Sequence, residues 1–402
     1  MSWDTCKFSS LYAIPSRNGL SIPATKHGRG NKIINMGELF AYGRIPDVPM
    51  ELVELSDSMK ANYNVEKDDL LFARRSLVLE GAGKCSWVKE VSDITTFESS
   101  IIRVRLDKER AVPLFYYYYF KSPQSPIKTI VQQCAQSGIR ASDLADLSVH
   151  SPPLHIQRRI ADILSAYDDL IENNQRQIKL LEEAAMRLYR EWFVFMRFPG
   201  HESVRIVDGV PEGWKYQELK EIADIVMGQS PDSSYYNSDG DGLPFHQGVS
   251  NYGERYVSNV EYCSVEKRCA VPNSILFSVR APVGRINLTR EKVVIGRGLA
   301  AINHKLGKQS YLFYLLKSHF SVEDMIGNGS VFSAVTKSDL EDQKLLTPSF
   351  DLVEVFSRIV EPMDAKINSL DMQIERLQKA RDALLPRLMN GGEGLKLEGG
   401  AV

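Results

Sequence analysis

No apolar run in the 402-residue chain reaches the roughly 18 residues needed to cross a bilayer, so no membrane span is expected. The opening MSWDTCKFSS lacks the basic and then apolar pattern of a secretory signal. The five cysteines, Cys6, Cys85, Cys134, Cys263 and Cys269, are odd in number and form no CxxC pair. That excludes a disulfide framework or a zinc ribbon and predicts reduced thiols in a cytoplasmic protein. A net charge of −2 offers no overall attraction to nucleic acid, so any DNA-binding surface has to be local.

Catalytic signatures are equally scarce. No GxxxxGK[ST] loop is present, which excludes a P-loop motor. GRG occurs at 28–30 and 296–298 without extending to GxGxxG, and the seven histidines show no ligand spacing. SPPL at 151–154 resembles the Pro-Pro loop of amino-methyltransferases but lacks the closing aromatic, and it reads as a helix start. No catalytic residue, metal ligand or cofactor site is assigned to the chain.

What the chain does have is a copy of itself. Shifting the sequence by 196 residues lays FYYYYFKS (115–122) on YLFYLLKS (311–318), Ser142-Asp143-Leu144 on Ser338-Asp339-Leu340, and Pro152 on Pro348. Over 115–188 against 311–384 there are 19 identities in 74 gap-free positions, which marks a tandem duplication. Upstream, DLLFARR (69–75) matches SILFSVR (274–280) at another offset. The copy also decides the four tyrosines. Aromatic rings beside a lysine can stack nucleic-acid bases, but Tyr116, Tyr119 and Phe120 become leucines in the second copy. Leucine preserves burial and offers no π-face, so the segment predicts a packed helix.

Each half begins with short apolar runs punctuated by turn residues, such as SSIIRVRL (99–106) and NSILFSV (273–279), an α+β texture. Each ends in a long helical stretch. Residues 154–193 contain no Gly or Pro, and apolar residues follow a 4-3 alternation. The seam runs Ile160, Leu164, Ile171, Asn174, Ile178, Leu181 and Leu188, and in the second copy Val360, Ile367, Leu370, Ile374, Leu377 and Leu384. A 3.5-residue period sustained this long predicts a coiled coil, with Asn174 as a polar register position. The expected boundaries are 1–150 for the first mixed domain, 151–199 for the first helix, 200–347 for the second mixed domain, 348–391 for the second helix and 392–402 for a flexible tail.

Positive charge gathers in the mixed parts. Residues 265–297 hold seven lysines and arginines against two glutamates. Arg75 and Arg280 end the same repeated element, and both are expected to face DNA. Arg285, Lys337 and Arg140 are expected as phosphate contacts, with Arg74, Lys84, Ser278, Arg297 and Ser330 as further candidates.

Two divergent α+β domains alternating with two similar long helices resemble the specificity subunit of type I restriction–modification enzymes. The segments that carry this are GWKYQELKEIADI, SILFSVRAPVGRI and VIGRGLAAI in the second half, and SDL with PPLHIQRRIADIL or TPSFDLVEVFSRIV at the helix starts. In the first half FESSIIRV (97–104) stands where VIGRGLAAI is expected. The resemblance implies a non-catalytic subunit with two target-recognition domains, each reading half of a bipartite site in double-stranded DNA. The helices would pair as an antiparallel coiled coil with pseudo-twofold repetition. Two modification (methyltransferase) subunits and restriction (translocase/nuclease) subunits would be partners, binding S-adenosylmethionine, ATP and Mg in place of this chain. A single-chain type II methyltransferase/nuclease specificity module and a coiled-coil scaffold without nucleic acid are the alternatives from other classes.

Overall fold

The computed structural model describes residues 3–76, 81–132, 137–320, 325–326, 330–331 and 334–391. Cys134 and the tail expected over 392–402 lie outside the described residues. Among them no helix is long and apolar enough to cross a membrane. The chain divides into two compact units, Met1–Asn174 with Gln373–Val402, and Gln175–Met372. Changes in sequence texture mark where the helices begin. Compactness instead follows burial, so each unit joins one mixed segment to parts of both long helices.

In the first unit the two larger sheets are built from β1 (Tyr12–Asn18), β2 (His27–Ile34), β3 (Arg44–Ile45), β4 (Glu51–Val53), β5 (Leu70–Ala73), β6 (Cys85–Val88), β7 (Thr95–Phe97) and β8 (Ile101–Leu106). The main sheet has the order β1-β8-β5-β6-β3, and a smaller one runs β4-β2-β7 with β2 and β7 parallel. β5 reads LLFA and is fully buried because strands flank it on both sides. Helix α1 (Pro113–Lys121) starts with proline at its first turn, where a missing N–H costs nothing. Tyr116 to Tyr119 are all at most 2% exposed. Tyr116 donates to the His150 carbonyl at 3.0 Å and Tyr118 to Asp168 at 2.6 Å, the partners that buried phenols require. The packed-helix expectation therefore holds, and none of these four rings is left to stack on a base.

Helix α2 (Leu154–Tyr189) continues into a π-helical turn, Arg190–Val194. The second unit contains β9 (Ala223–Met227), β10 (Leu243–His246), β11 (Ile275–Ser278), β12 (Ile286–Leu288), β13 (Val293–Ile295), β14 (Leu299–His304), α3 (Gln309–His319) and the start of α4 (Phe350–Met389). Its main sheet, β9-β14-β11-β12, repeats the order β1-β8-β5-β6, and β10 pairs parallel with β13 as β2 does with β7. The stretch 198–214, read from sequence as a linker, has both ends anchored in this unit. Phe198 and Trp214 are buried with their rings 5.3 Å apart.

Inside each unit the long helices run antiparallel. In the first, Ile160 and Leu164 near the start of α2 share a core with Leu385 and Leu388 near the end of α4. In the second, Ala185, at the end of α2, and the adjoining Trp192 pack with Val353, Phe356 and Val360, at the start of α4. The seam positions Ile160, Leu164, Ile171, Asn174, Ile178, Val360, Ile367, Leu370 and Ile374 are buried, and Leu181, Leu188, Leu377 and Leu384 half-buried. Asn174 donates to the Gln373 side chain at 3.4 Å.

Candidate nucleic-acid interface

The end of the central strand carries the same hydrogen-bonded frame in both units. After β5, the Gly83 N–H donates to the Ala73 carbonyl (2.8 Å) and the Ala73 N–H to the Lys84 carbonyl (2.9 Å). The Arg74 N–H donates to Ser100 (2.7 Å), and the Arg74 carbonyl accepts from Ile139 (2.9 Å). After β11, Gly284 bonds Ser278 (3.1 Å), Ser278 bonds Arg285 (2.9 Å), Val279 bonds Gly298 (2.9 Å), and Val335 bonds the Val279 carbonyl (2.8 Å). These bonds pair Ala73 with Ser278, Arg74 with Val279, Lys84 with Arg285, Ser100 with Gly298 and Ile139 with Val335. Arg75 and Arg280 each come next in the chain, and both are exposed. Arg280 also bridges Ala334 through its backbone and makes no ion pair among the described residues.

This frame brings Arg280, Arg285, Arg297 and Lys337 onto segments tied to one strand end, and likewise Arg75, Lys84 and Arg140. Arg285, Arg297 and Arg140 are exposed. Arg297 is presented on a tight turn. A Cβ at Gly296 would lie 2.4 Å from the Gln247 Oε1, and one at Gly298 would lie 2.5 Å from the Gln247 carbonyl. Only glycine fits at either position. Ser230 Oγ accepts from the Arg297 N–H at 3.2 Å. Lys337 opens the helical turn Lys337–Glu341 and pairs with Glu341 at 3.2 Å.

Three expected contacts sit differently. Ser278 is 1% exposed. Its hydroxyl donates to the Pro282 carbonyl at 2.6 Å and accepts from the Arg285 N–H at 2.8 Å. It clamps the turn and does not face DNA. Arg74 occupies the place of buried Val279, is half-buried, and donates to the Ser99 carbonyl at 3.3 Å. Lys84 is half-buried, with its ammonium 2.9 Å from the Phe40 carbonyl. The side chain of Ser330 lies outside the described residues.

Part of the basic run is neutralised internally. Arg290 pairs with Asp371 and donates to Asn368 at 2.9 Å, and Lys292 pairs with Glu266. The field of 265–297 is therefore weaker than its composition implies.

Sequence reasoning missed the contacts that hold each sheet onto the long helices. Tyr118 donates to Asp168 (2.6 Å) and Tyr314 to Asp364 (2.9 Å), one pattern at the constant offset of the repeat. Asp168 is completed by Arg381 of α4. Asp364 is completed by Arg255, whose side chain is 4% exposed and also reaches Glu182 at 3.2 Å. Burial opposes the charge of Arg255, but Asp364 and the neighbouring tyrosines outweigh it and raise its pKa. Arg44 and Lys89 hold Asp169 and Glu172 of α2. The repeated Tyr and Asp were visible as identities in the offset alignment. Arg44 and Arg255 had no such signal, because they come from segments without a common register.

Comparison with known proteins agrees with this duplicated architecture. The family described as "Type I restriction modification DNA specificity domain" matches residues 5–183 and 211–379. The provisionally named type I restriction enzyme MjaX specificity subunit of Methanocaldococcus jannaschii is 31% identical over 400 residues, 97% of this chain and 93% of its own. The HindI specificity subunit of Haemophilus influenzae is 22% identical, covering 83% and 88%. Among solved structures, the type I restriction–modification S subunit from M. genitalium shares the fold with a TM-score of 0.62 at 18% identity over 96% of each chain. With two matched segments, each containing one basic strand-end frame, the chain belongs to the type I restriction–modification DNA specificity family and is a non-catalytic specificity subunit.

Proposed function

We propose that each mixed segment reads one half of a bipartite site in double-stranded DNA, using the basic residues carried on its strand-end frame. Arg75 and Arg280 are the base-facing candidates, with Arg140, Arg285, Arg297 and Lys337 holding phosphates. The observation that carries this is the fourfold hydrogen-bonded turn that occurs in both units and ends each time in an exposed arginine. A strand-held arginine is pre-oriented, which favours a geometric contact over diffuse attraction. The antiparallel helices then serve as the spacer between half-sites and as the platform for two modification subunits, which restriction subunits join. S-adenosylmethionine, ATP and Mg belong to those partners in this scheme.

The test is methylation mapping with the complex reconstituted from this chain and its modification subunit. Arg75→Ala should relax preference within one half-site only, and Arg280→Ala within the other, each by about 1–3 kcal/mol at the affected base pair. Loss of preference at the same bases in both variants would rule out one domain per half-site.

A further inference from the structure

A cavity of about 700 Å³ opens beside the first strand-end frame. Lys84, Lys121 and Lys128 line it together with Phe40, Phe120 and Ile127, and no carboxylate lines it among the described residues. None of the three lysines forms an ion pair with a described residue. The Lys84 ammonium is held 2.9 Å from the Phe40 carbonyl and that of Lys121 3.1 Å from the Tyr117 hydroxyl. Surrounding protein desolvates both and lowers their pKa values. Lys84 is half-buried and Lys121 and Lys128 are exposed, and three cations around one cavity favour an incoming anion through charge-assisted hydrogen bonds. The apolar wall adds a second requirement, a body that can leave water.

The second unit has a cavity of about 540 Å³ at the corresponding place. Arg285 there is the frame equivalent of Lys84, Gly284 that of Gly83, and Lys317 stands at the constant offset from Lys121. Arg190 supplies a third cation, Phe313 and Phe320 the apolar wall, and Glu254 is the acid among the described lining residues. Most of the lining has diverged between the copies, yet the frame cation and the helix lysine persist. Both volumes lie in the range of about 300–1,000 Å³ typical of small-ligand sites.

We propose that these cavities bind a nucleotide, a flat heterocycle joined through a sugar to a phosphate anion. The three cations match the phosphate. The half-exposed ring of Phe40, with the Lys84 ammonium 4.8 Å from its centroid, offers the stacking plane. The chemistry of the site is independent of DNA reading, and only the source of the nucleotide rests on it. That source is either a free mononucleotide or an unstacked nucleotide of a bound strand.

The full-length chain would be titrated calorimetrically with adenosine 5′-monophosphate, adenosine and inorganic phosphate at low salt. The monophosphate should bind with a Kd below about 1 mM, and its two fragments at least about tenfold more weakly. Lys121→Met and Lys317→Met, which keep side-chain length, should each weaken one of two sites by about tenfold with the melting temperature unchanged. No binding of the monophosphate at several times that concentration, or equal binding by the Lys121→Met/Lys317→Met double variant, would overturn the proposal. Displacement by duplex DNA would identify the bound strand as the source, and simultaneous binding a free nucleotide. Monophosphate binding by a chain that fails to bind DNA would leave this site standing and remove the DNA reading instead.

Discussion

The two mixed segments keep the same four backbone hydrogen bonds at the end of their central strand and fill the frame with different side chains. Ala73 stands opposite Ser278, Arg74 opposite Val279, Lys84 opposite Arg285, and Ser99 opposite Arg297. The loop inside the frame is longer in the first unit, between Ala73 and Gly83, than in the second, between Ser278 and Gly284. Backbone bonds do not depend on side-chain identity, so the frame survives divergence that would destroy a site built from side chains. What changes is what each frame presents outward, as the proposed reading of two different half-sites requires.

The units also differ in how their repeated aspartates are neutralised, and this is where the largest effect is expected. Asp364 faces Arg255 at 4% side-chain exposure, whereas Asp168 faces Arg381 at 18%. Removing one partner of a buried pair leaves an uncompensated charge and costs about 3–5 kcal/mol. Asp364→Ala leaves the buried Arg255 with Glu182 alone and should destabilise the second unit by about 3 kcal/mol, the lower end of that range. Asp168→Ala should cost the first unit less, about 1–3 kcal/mol, since Arg381 can turn to water and keeps Asp382. Hydrogen exchange resolved by unit would measure both, and equal losses would erase the distinction.

The basic residues beyond the frame permit a finer comparison. Arg140 has no side-chain partner among the described residues, while Lys337 shares its charge with Glu341. If both hold phosphates, Arg140→Ala should lower the salt slope of DNA binding by about one, equally on cognate and scrambled duplexes. Lys337→Ala should lower it by less. Sequence-selective loss in either variant would make that residue a base reader. The Ser278 clamp predicts a smaller effect on stability. Ser278→Ala gives the second frame the residue that Ala73 already places in the first, and should cost only about 1–2 kcal/mol in thermal unfolding. Loss of the fold would show that the clamp has no substitute in the second unit.

Much of this was legible in the sequence, and the limits have physical causes. The 196-residue offset, the long helices and their seam follow from periodicity, which local burial imposes directly. Arg75 and Arg280 could be paired because both follow an apolar strand of matching pattern. The equivalence of Lys84 with Arg285 could not, because loops of different length separate them from that strand and only hydrogen bonds reveal the register. Ser278 was misread since polarity alone does not say whether a hydroxyl faces water or its own turn. The run 265–297 was overcounted because the partners of Arg290 lie on α4, far away in sequence.

The smallest expected difference is one of acid sensitivity. In the smaller parallel pairs, β2 with β7 and β10 with β13, Ile34 and His246 occupy the same place. Each carbonyl accepts the N–H one residue after the partner strand's aligned position, from Glu98 at 3.0 Å and Gly296 at 2.9 Å. His246 is 1% exposed, and its Nε2 meets Asn259 Oδ1 at 3.0 Å. Burial holds its pKa below the usual histidine value. The unfolded chain then binds more protons than the folded one as pH drops below about 6.5, so stability present above that pH is lost on acidification through the folded pKa. His304, also in the second unit, is shifted the same way by burial. In the first unit His27 is raised, chiefly by its hydrogen bond to Glu51. Its contribution is complete below about pH 6.5 and fades as pH rises through the folded value. Moving from pH 7.5 to 5.5 should therefore weaken the second unit relative to the first. His246→Ile, which installs the residue of the first unit, should flatten that response. Unit-resolved hydrogen exchange at both pH values provides the measurement. A second unit that keeps its relative protection at the lower pH, or a His246→Ile variant as acid-sensitive as the parent, would assign the response to other groups.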